Sequence, residues 1–341
     1  MNPAAVRFLE VAPPAWAGLL AADPNATAAH RPALWDALAA TASGTRVWLA
    51  ACFDGPRLLG GAPLAIERVA GLTRLHALPW VLPGAPLAVP GAHAEVDASI
   101  AEALARRALE DGAIGGEWSL YRPHGPAVAR AALERLPGET TRLETAVLDL
   151  GGREAGAPPP ADRKTRSDLR AARAAGLRFA EEPSALDSAF SLYVAQVRHW
   201  SGHRPLPIEL SRRLLVGPAP VGRLFTVRDG RGLLSAAFVL DHPREMLVWW
   251  SGTHLEGRHR HAFSLLLSSI AEWAAAAGRE RVNLGASPGL GAVAAFKRSL
   301  GARTLSYPVR WIHPAPAGWA ARIVTAAQAL VRRGRDRGAP E

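Results

Sequence analysis

What this chain lacks narrows its reading first. Its 341 residues hold a single cysteine, Cys52, which excludes an intramolecular disulfide framework and a thiolate metal site. Cys52 sits in the apolar run Val47–Phe53, the setting of a buried strand rather than of a nucleophile. No stretch of about 18 or more charge-free apolar residues occurs, so no segment reads as a spanning helix. A basic region followed by an apolar one is missing from the N-terminus, where Arg7, Glu10 and several prolines intervene; a cytoplasmic protein without a signal peptide is expected. The serines and threonines suggest no serine-hydrolase chemistry. Lysine is nearly absent too: of 40 basic residues only Lys164 and Lys297 are lysine. A compact ammonium kept in an arginine-biased chain points to positions where a planar guanidinium is no substitute.

What is present is ordinary in amount and uneven in placement. Hydrophobic content of 49% and charged content of 21% belong to a globular protein, and the length suits two domains. The net charge of +10 gathers in two places. One is Arg163, Lys164, Arg166, Arg170, Arg173 and Arg178; the other is the tail Arg332, Arg333, Arg335 and Arg337. Such clusters suit a phosphate-bearing ligand, RNA or an anionic membrane surface, and equally a solvated helix face.

Residues 151–162, with three consecutive prolines, form the clearest linker, dividing an N-terminal domain (1–150) from a C-terminal one (163–314) and a basic helix and tail (315–341). A pattern repeats on either side. Arg46–Leu64 and Arg223–Leu240 each hold a strand, an Asp-Gly turn (Asp54-Gly55, Asp229-Gly230) and a returning strand with a Leu-Leu pair. Third strands follow at Thr73–Leu78 and Met246–Gly252. The second half continues as a helix over His261–Ala277, a strand at Arg281–Leu284, a small-residue turn, a helix over Ala292–Leu300 and a strand at Thr304–Ile312. Two related α/β domains with mixed sheets are expected. The proline-broken apolar run Ala77–Pro90 is neither a spanning helix nor a central strand.

Three segments carry a resemblance: the arginine-rich Arg163–Gly176, the stretch Val248-Trp-Trp-Ser-Gly-Thr-His254, and Asn283-Leu-Gly-Ala-Ser-Pro-Gly-Leu-Gly followed by Phe296-Lys297-Arg298-Ser-Leu-Gly301. Over 163–312 the chain resembles the GNAT acyltransferase superfamily, and within it the tandem-domain branch of Fem-type aminoacyltransferases. That resemblance implies direct attack of a substrate amine on an acyl or aminoacyl group carried by acyl-CoA or aminoacyl-tRNA. It places Lys297 and Phe296 beside the donor, with Arg258, Arg260 and His261 toward its phosphates. Trp80, Trp250, Lys164 and Arg166 become candidate substrate contacts, and His203 or His199 a candidate base for the amine. The acceptor, a small molecule or peptide, is expected between the domains. The loop Leu255–His261 has one glycine where coenzyme A enzymes have several, and no lysine shortly follows Trp35, so a cell-wall nucleotide precursor is not implied. His254, His259 and His261 lack a helical i, i+4 spacing and acidic partners, and no metal is expected. A non-catalytic RNA- or membrane-surface-binding protein on the same fold is the competing expectation.

Overall fold

The computed structural model describes residues 4–69, 72–80, 82–125, 127–151, 161–198, 204–217, 219–287 and 290–313. His199, Trp200 and His203, most of the linker, and the basic C-terminal segment lie outside them. In chain order the elements are β1 (Ala5–Leu9), α1 (Ala15–Ala22), α2 (Pro32–Thr41), β2 (Thr45–Asp54), β3 (Arg57–Val69), β4 (Leu72–His76), β5 (Leu87–Ala88), α3 (His93–Glu110), β6 (Ala113–Ser119), α4 (Arg130–Leu133) and β7 (Gly138–Asp149). There follow α5 (Arg163–Ala174), β8 (Arg178–Glu181), α6 (Leu186–Val197), α7 (Ile208–Leu214), β9 (Gly222–Arg228), β10 (Leu233–Asp241) and β11 (Glu245–Thr253). The last are α8 (Leu255–His259), α9 (Ala262–Ala276), β12 (Arg281–Ala286), α10 (Gly291–Ser299) and β13 (Arg303–Ile312).

Two compact units emerge, and their boundary differs from the one the linker suggests. The first comprises 1–25, 43–142 and 307–341; the second comprises 26–42 and 143–306. Residues 26–42 count with the second unit because Arg31 donates to the carbonyls of Ala219 (2.7 Å), Pro220 (3.2 Å) and Asp241 (3.1 Å). The end of β13 counts with the first, since Val309–Ile312 pair antiparallel with Gly116–Ser119 of β6. Local composition points to the prolines, where no unit boundary falls. It does not reveal which distant strand a terminal strand will pair with.

Within the first unit the strand order is β1-β2-β3-β4-β6-β13-β7, with β5 on β3. The β2–β3 hairpin turns at Gly55, whose φ of +55° is a conformation glycine tolerates without steric cost. Helix α3 buries Val96, Ile100, Ala101, Leu104 and Ala108, an i, i+4 stripe, against Ala50, Cys52, Leu64, Leu75 and Trp118. Cys52 is wholly buried, as its apolar run led one to expect.

The second unit has the order β7-β12-β11-β10-β9-β8. Its hairpin turn is held by the Asp229 carboxylate, which accepts from the amides of Arg231 (2.8 Å) and Gly232 (3.0 Å). Alternate residues of β10 face opposite layers. Ala237 and Val239 join a core with Leu266, Ile270 and Ala274 of α9, whereas Phe238 stacks on Trp250 (5.3 Å) on the side where α6 and α7 pack. The repeat is therefore real in three dimensions: an antiparallel three-strand meander, a long helix, and a strand parallel to the meander's last strand (β4 with β6, β11 with β12).

Candidate active site in the second unit

The site begins where two parallel strands part. Strand β11 pairs with β12 only through Glu245–Leu247 against Arg281–Asn283, yet continues to Thr253 on its other side with β10. A bulge interrupts β10–β11 at this point: Phe238 pairs with Trp250 and Val239 with Val248, so Trp249 is the extra residue. Bulges re-aim a strand and end its pairing. Beyond Leu247 and Asn283 the two strands no longer pair and no other strand lies between them, so their edges part as a wedge.

A buried polar cluster fixes the base of that wedge. Arg281 and Glu245, only 2% and 1% exposed, form an ion pair at 2.7 Å. Asn283 donates to Glu245 Oε1 (3.4 Å), while its own Oδ1 accepts from Thr145 Oγ1 (2.6 Å) and from the Gly285 amide (2.9 Å). This last bond turns the chain at Gly285, whose φ is +79°. The turned carbonyls of Gly285 and Ala286 then accept from Lys297 Nζ at 2.8 and 3.3 Å. Lys297 comes from α10, whose Phe296 stacks on Phe263 of α9 (5.5 Å, 23°).

Lys297 is 7% exposed, and burial pushes its ammonium down from 10.5 to about 8. The Gly285 and Ala286 carbonyls turn the negative ends of their dipoles toward it. An ammonium has three protons. Two are engaged, and the third has no acceptor among the described residues. Such a group can donate to oxygen that gains negative charge during a reaction.

The other expected site residues fall in distinct surroundings. Arg260 is committed to Asp229, with Glu256 and the Ala175 carbonyl at 3.4 and 3.3 Å. Arg258 is exposed on α8. His261 precedes α9 in a left-handed conformation (φ +58°), its Nδ1 3.6 Å from Asp168. Lys164 is 83% exposed and pairs with Asp168 at 3.0 Å, and the exposed Arg166 bonds the Ala161 carbonyl. Trp80 belongs to the first unit and is half-buried with φ +60°, a strained value for a large side chain. Trp250 corrects the expectation of a substrate contact. Tyr193 (5.1 Å) and Phe238 (5.3 Å) stack on its ring, and its indole N–H donates to Ser211 Oγ (3.0 Å), which leaves it no face or proton for a ligand. Gly252, two residues on, has no room for a side chain: a Cβ would lie 2.4 Å from the Tyr193 amide of α6.

Sequence reading passed over the Glu245–Arg281–Asn283 cluster, whose members are far apart in the chain and look like surface charges. It also passed over Ser287. Gly285-Ala286-Ser287-Pro288-Gly289 has the spacing of a nucleophile elbow. Ser287 Oγ is nevertheless buried without a hydrogen-bond partner among the described residues, so no base activates it there.

Comparison with known proteins bears on the family and the fold. Residues 161–298 match the family model described as an acetyltransferase (GNAT) domain. Among solved structures, FemX superposes with a TM-score of 0.66 at 11% identity, covering 89% of this chain and 96% of FemX. The C-terminal domain of a putative lysylphosphatidylglycerol synthetase from Agrobacterium fabrum gives 0.52 at 15%, covering 77% and 85%. A tandem GNAT protein from the clavulanic acid biosynthesis pathway gives 0.50 at 15%, covering 90% and 98%. A search of curated proteins found no match. Residues 161–298 are thus a GNAT acyltransferase domain, in a chain that shares its fold with FemX and tandem GNAT proteins.

Proposed function

We propose that the second unit moves an acyl group from acyl-coenzyme A to a substrate amine by direct attack, with Lys297 at the reacting carbonyl. The observation that carries this reading is the wedge between β11 and β12 with a buried, one-third-unused ammonium at its edge. The pantetheine arm of coenzyme A is an extended chain with its own amides, and an unpaired strand edge binds such a chain by continuing the ladder. In the reaction the amine nitrogen bonds to the acyl carbon, the C–S bond breaks, the thiol leaves and the amine loses a proton. Negative charge builds on the acyl oxygen in between. The third Lys297 proton is the donor assigned to that oxygen, and one such donor is typically worth about 3–4 kcal/mol of barrier. Phe296 borders the acyl end; exposed Arg258, with His261 at the start of α9, faces the donor's phosphates. Among the described residues no cluster of histidine, cysteine and carboxylates could hold a metal ion, and the reaction as written needs none.

A second donor, aminoacyl-tRNA, is favoured by a different observation. Helix α5 exposes Arg163, Lys164, Arg166 and Arg170, and Arg163 and Arg170 have no ion-pair partner among the described residues. Mass spectrometry of the products formed from an amine panel, with acyl-CoA in one arm and charged tRNA in the other, separates the two donors. Transfer in neither arm would falsify the enzymatic reading and leave an RNA- or surface-binding role.

A further inference from the structure

Lysine is the side chain that carries an acylable primary amine, and this chain has two, Lys164 and Lys297. Their surroundings are opposite. Lys164 is 83% exposed and paired with the Asp168 carboxylate at 3.0 Å. Lys297 is buried, and among the described residues only two carbonyls hold it, with no carboxylate beside it. Burial alone acts on its ionisation and lowers it to about 8. At neutral pH roughly a tenth of the molecules then carry Nζ as free amine, against fewer than about one in a thousand for an ordinary lysine. A lysine desolvated in this way is a nucleophile in its own right.

The two carbonyls also decide where that amine points. Its nitrogen is tetrahedral and donates to the Gly285 oxygen at 2.8 Å and the Ala286 oxygen at 3.3 Å. A carbonyl oxygen accepts and never donates, so it keeps an N–H and repels a lone pair. When the ammonium loses a proton, both N–H bonds stay on the carbonyls, and the lone pair is left in the position the third proton held. The carbonyls themselves are fixed, because Asn283 Oδ1 accepts from the Gly285 amide at 2.9 Å and holds the left-handed turn there. In the donor reading above, the third proton meets the oxygen of the reacting acyl group. The free amine therefore turns its lone pair on that same group.

We propose that Lys297 is a self-acylation site: the acyl donor in the wedge acylates its Nζ, and the modification switches transfer off. This rests on the acyl-coenzyme A reading of the site. The Nζ lone pair bonds to the acyl carbon, the C–S bond breaks, and the departing thiolate takes one of the two amine protons. The products are a secondary amide and the free thiol, and no further reactant is needed. The amide is neutral and keeps one N–H for two carbonyls, so it has no donor to spare for a developing oxyanion. Acylation builds up when donor is bound and no acceptor amine takes the acyl group first, which ties the activity to the supply of acceptor.

The test is mass spectrometry with peptide mapping of both lysines, on the full chain incubated without acceptor. Acetyl-coenzyme A is the probe in one arm and octanoyl-coenzyme A in the other. Exposed Lys164 measures unassisted acylation within the same molecule. With at least one donor, Lys297 should be acylated about tenfold or more faster than Lys164, saturably in donor, and should lose that lead in urea. The kcat for amine products should fall in proportion to the fraction of Lys297 acylated. Lys297→Arg keeps the charge without an acylable amine and should show the Lys164 background alone. Acylation of Lys297 no faster than that of Lys164 with either donor, or equally fast in urea, overturns the proposal. Amide products from the amine panel while Lys297 stays unmodified defeat this inference and leave acyl transfer standing; absence of both defeats the two together.

Discussion

Replacing Lys297 by methionine separates the two influences on its ammonium. Burial lowers its pKa from 10.5 to about 8. The folded state therefore binds fewer protons than the unfolded chain between pH 8 and 10.5, and stability rises with pH across that window. The shift of roughly two and a half units corresponds to about 3 kcal/mol, a penalty present below pH 8 and relieved above 10.5. Methionine has similar length and no proton to lose. It forfeits the bonds to the Gly285 and Ala286 carbonyls, each worth about 1 kcal/mol. At pH 7 the loss and the relief nearly cancel, and the variant should lie within about 1 kcal/mol of wild type. At pH 10.5 wild type should be the more stable by about 2–3 kcal/mol. Urea unfolding of both proteins at several pH values reads this directly. A difference that stays constant from pH 7 to 10.5 would mean that the ammonium is solvated and the buried placement is wrong.

Other consequences follow from the same network. Glu245→Gln removes the charge nearest the buried Arg281 (2.7 Å) and leaves it the more distant Glu280 carboxylate at 3.6 Å; it should cost about 3 kcal/mol in chemical denaturation. Gly285→Ala forces a side chain into a left-handed turn (φ +79°); it should cost about 1–2 kcal/mol and lower kcat by displacing a carbonyl that holds Lys297. Ser287→Ala should leave acyl transfer within a few-fold of wild type, because attack is direct; a complete loss, or a trapped acyl-serine, would show a covalent route. His242, buried with its pKa pushed down to about 3 by desolvation, stays neutral in the fold while the unfolded chain gains a proton near 6.5. Stability should therefore fall as pH drops from 6.5 toward 3, by up to about 4–5 kcal/mol, and His242→Asn should flatten that decline in a thermal-melt series.

The parts of the fold that local chemistry encodes were legible in the chain. Asp54-Gly55 and Asp229-Gly230 marked both hairpins, and the strand-then-helix rhythm after Met246 matched the observed elements closely, because turn residues and period act over a few positions. Longer-range placement was not legible. Nothing in residues 26–42 shows that Arg31 will close on the Ala219–Pro220 loop, nor that Trp250 will be shut between Tyr193 and Phe238. Phe296-Lys297 stood out by motif. Its supports, Asn283 and the Arg281–Glu245 pair, did not, since a buried arginine looks like an exposed one until its partner's position is known.

The central claim is that a lysine ammonium beside the parted strands stabilises negative charge as an amide forms. Its most direct test is kcat/KM for acyl transfer as a function of pH in wild type, Lys297→Arg and Lys297→Met. The account requires wild-type activity to fall above pH 8, as the ammonium loses its proton, and a loss of about a hundredfold or more in Lys297→Met at pH 7 with the alkaline decline abolished. Activity in Lys297→Met within threefold of wild type, with the same pH profile, would contradict it.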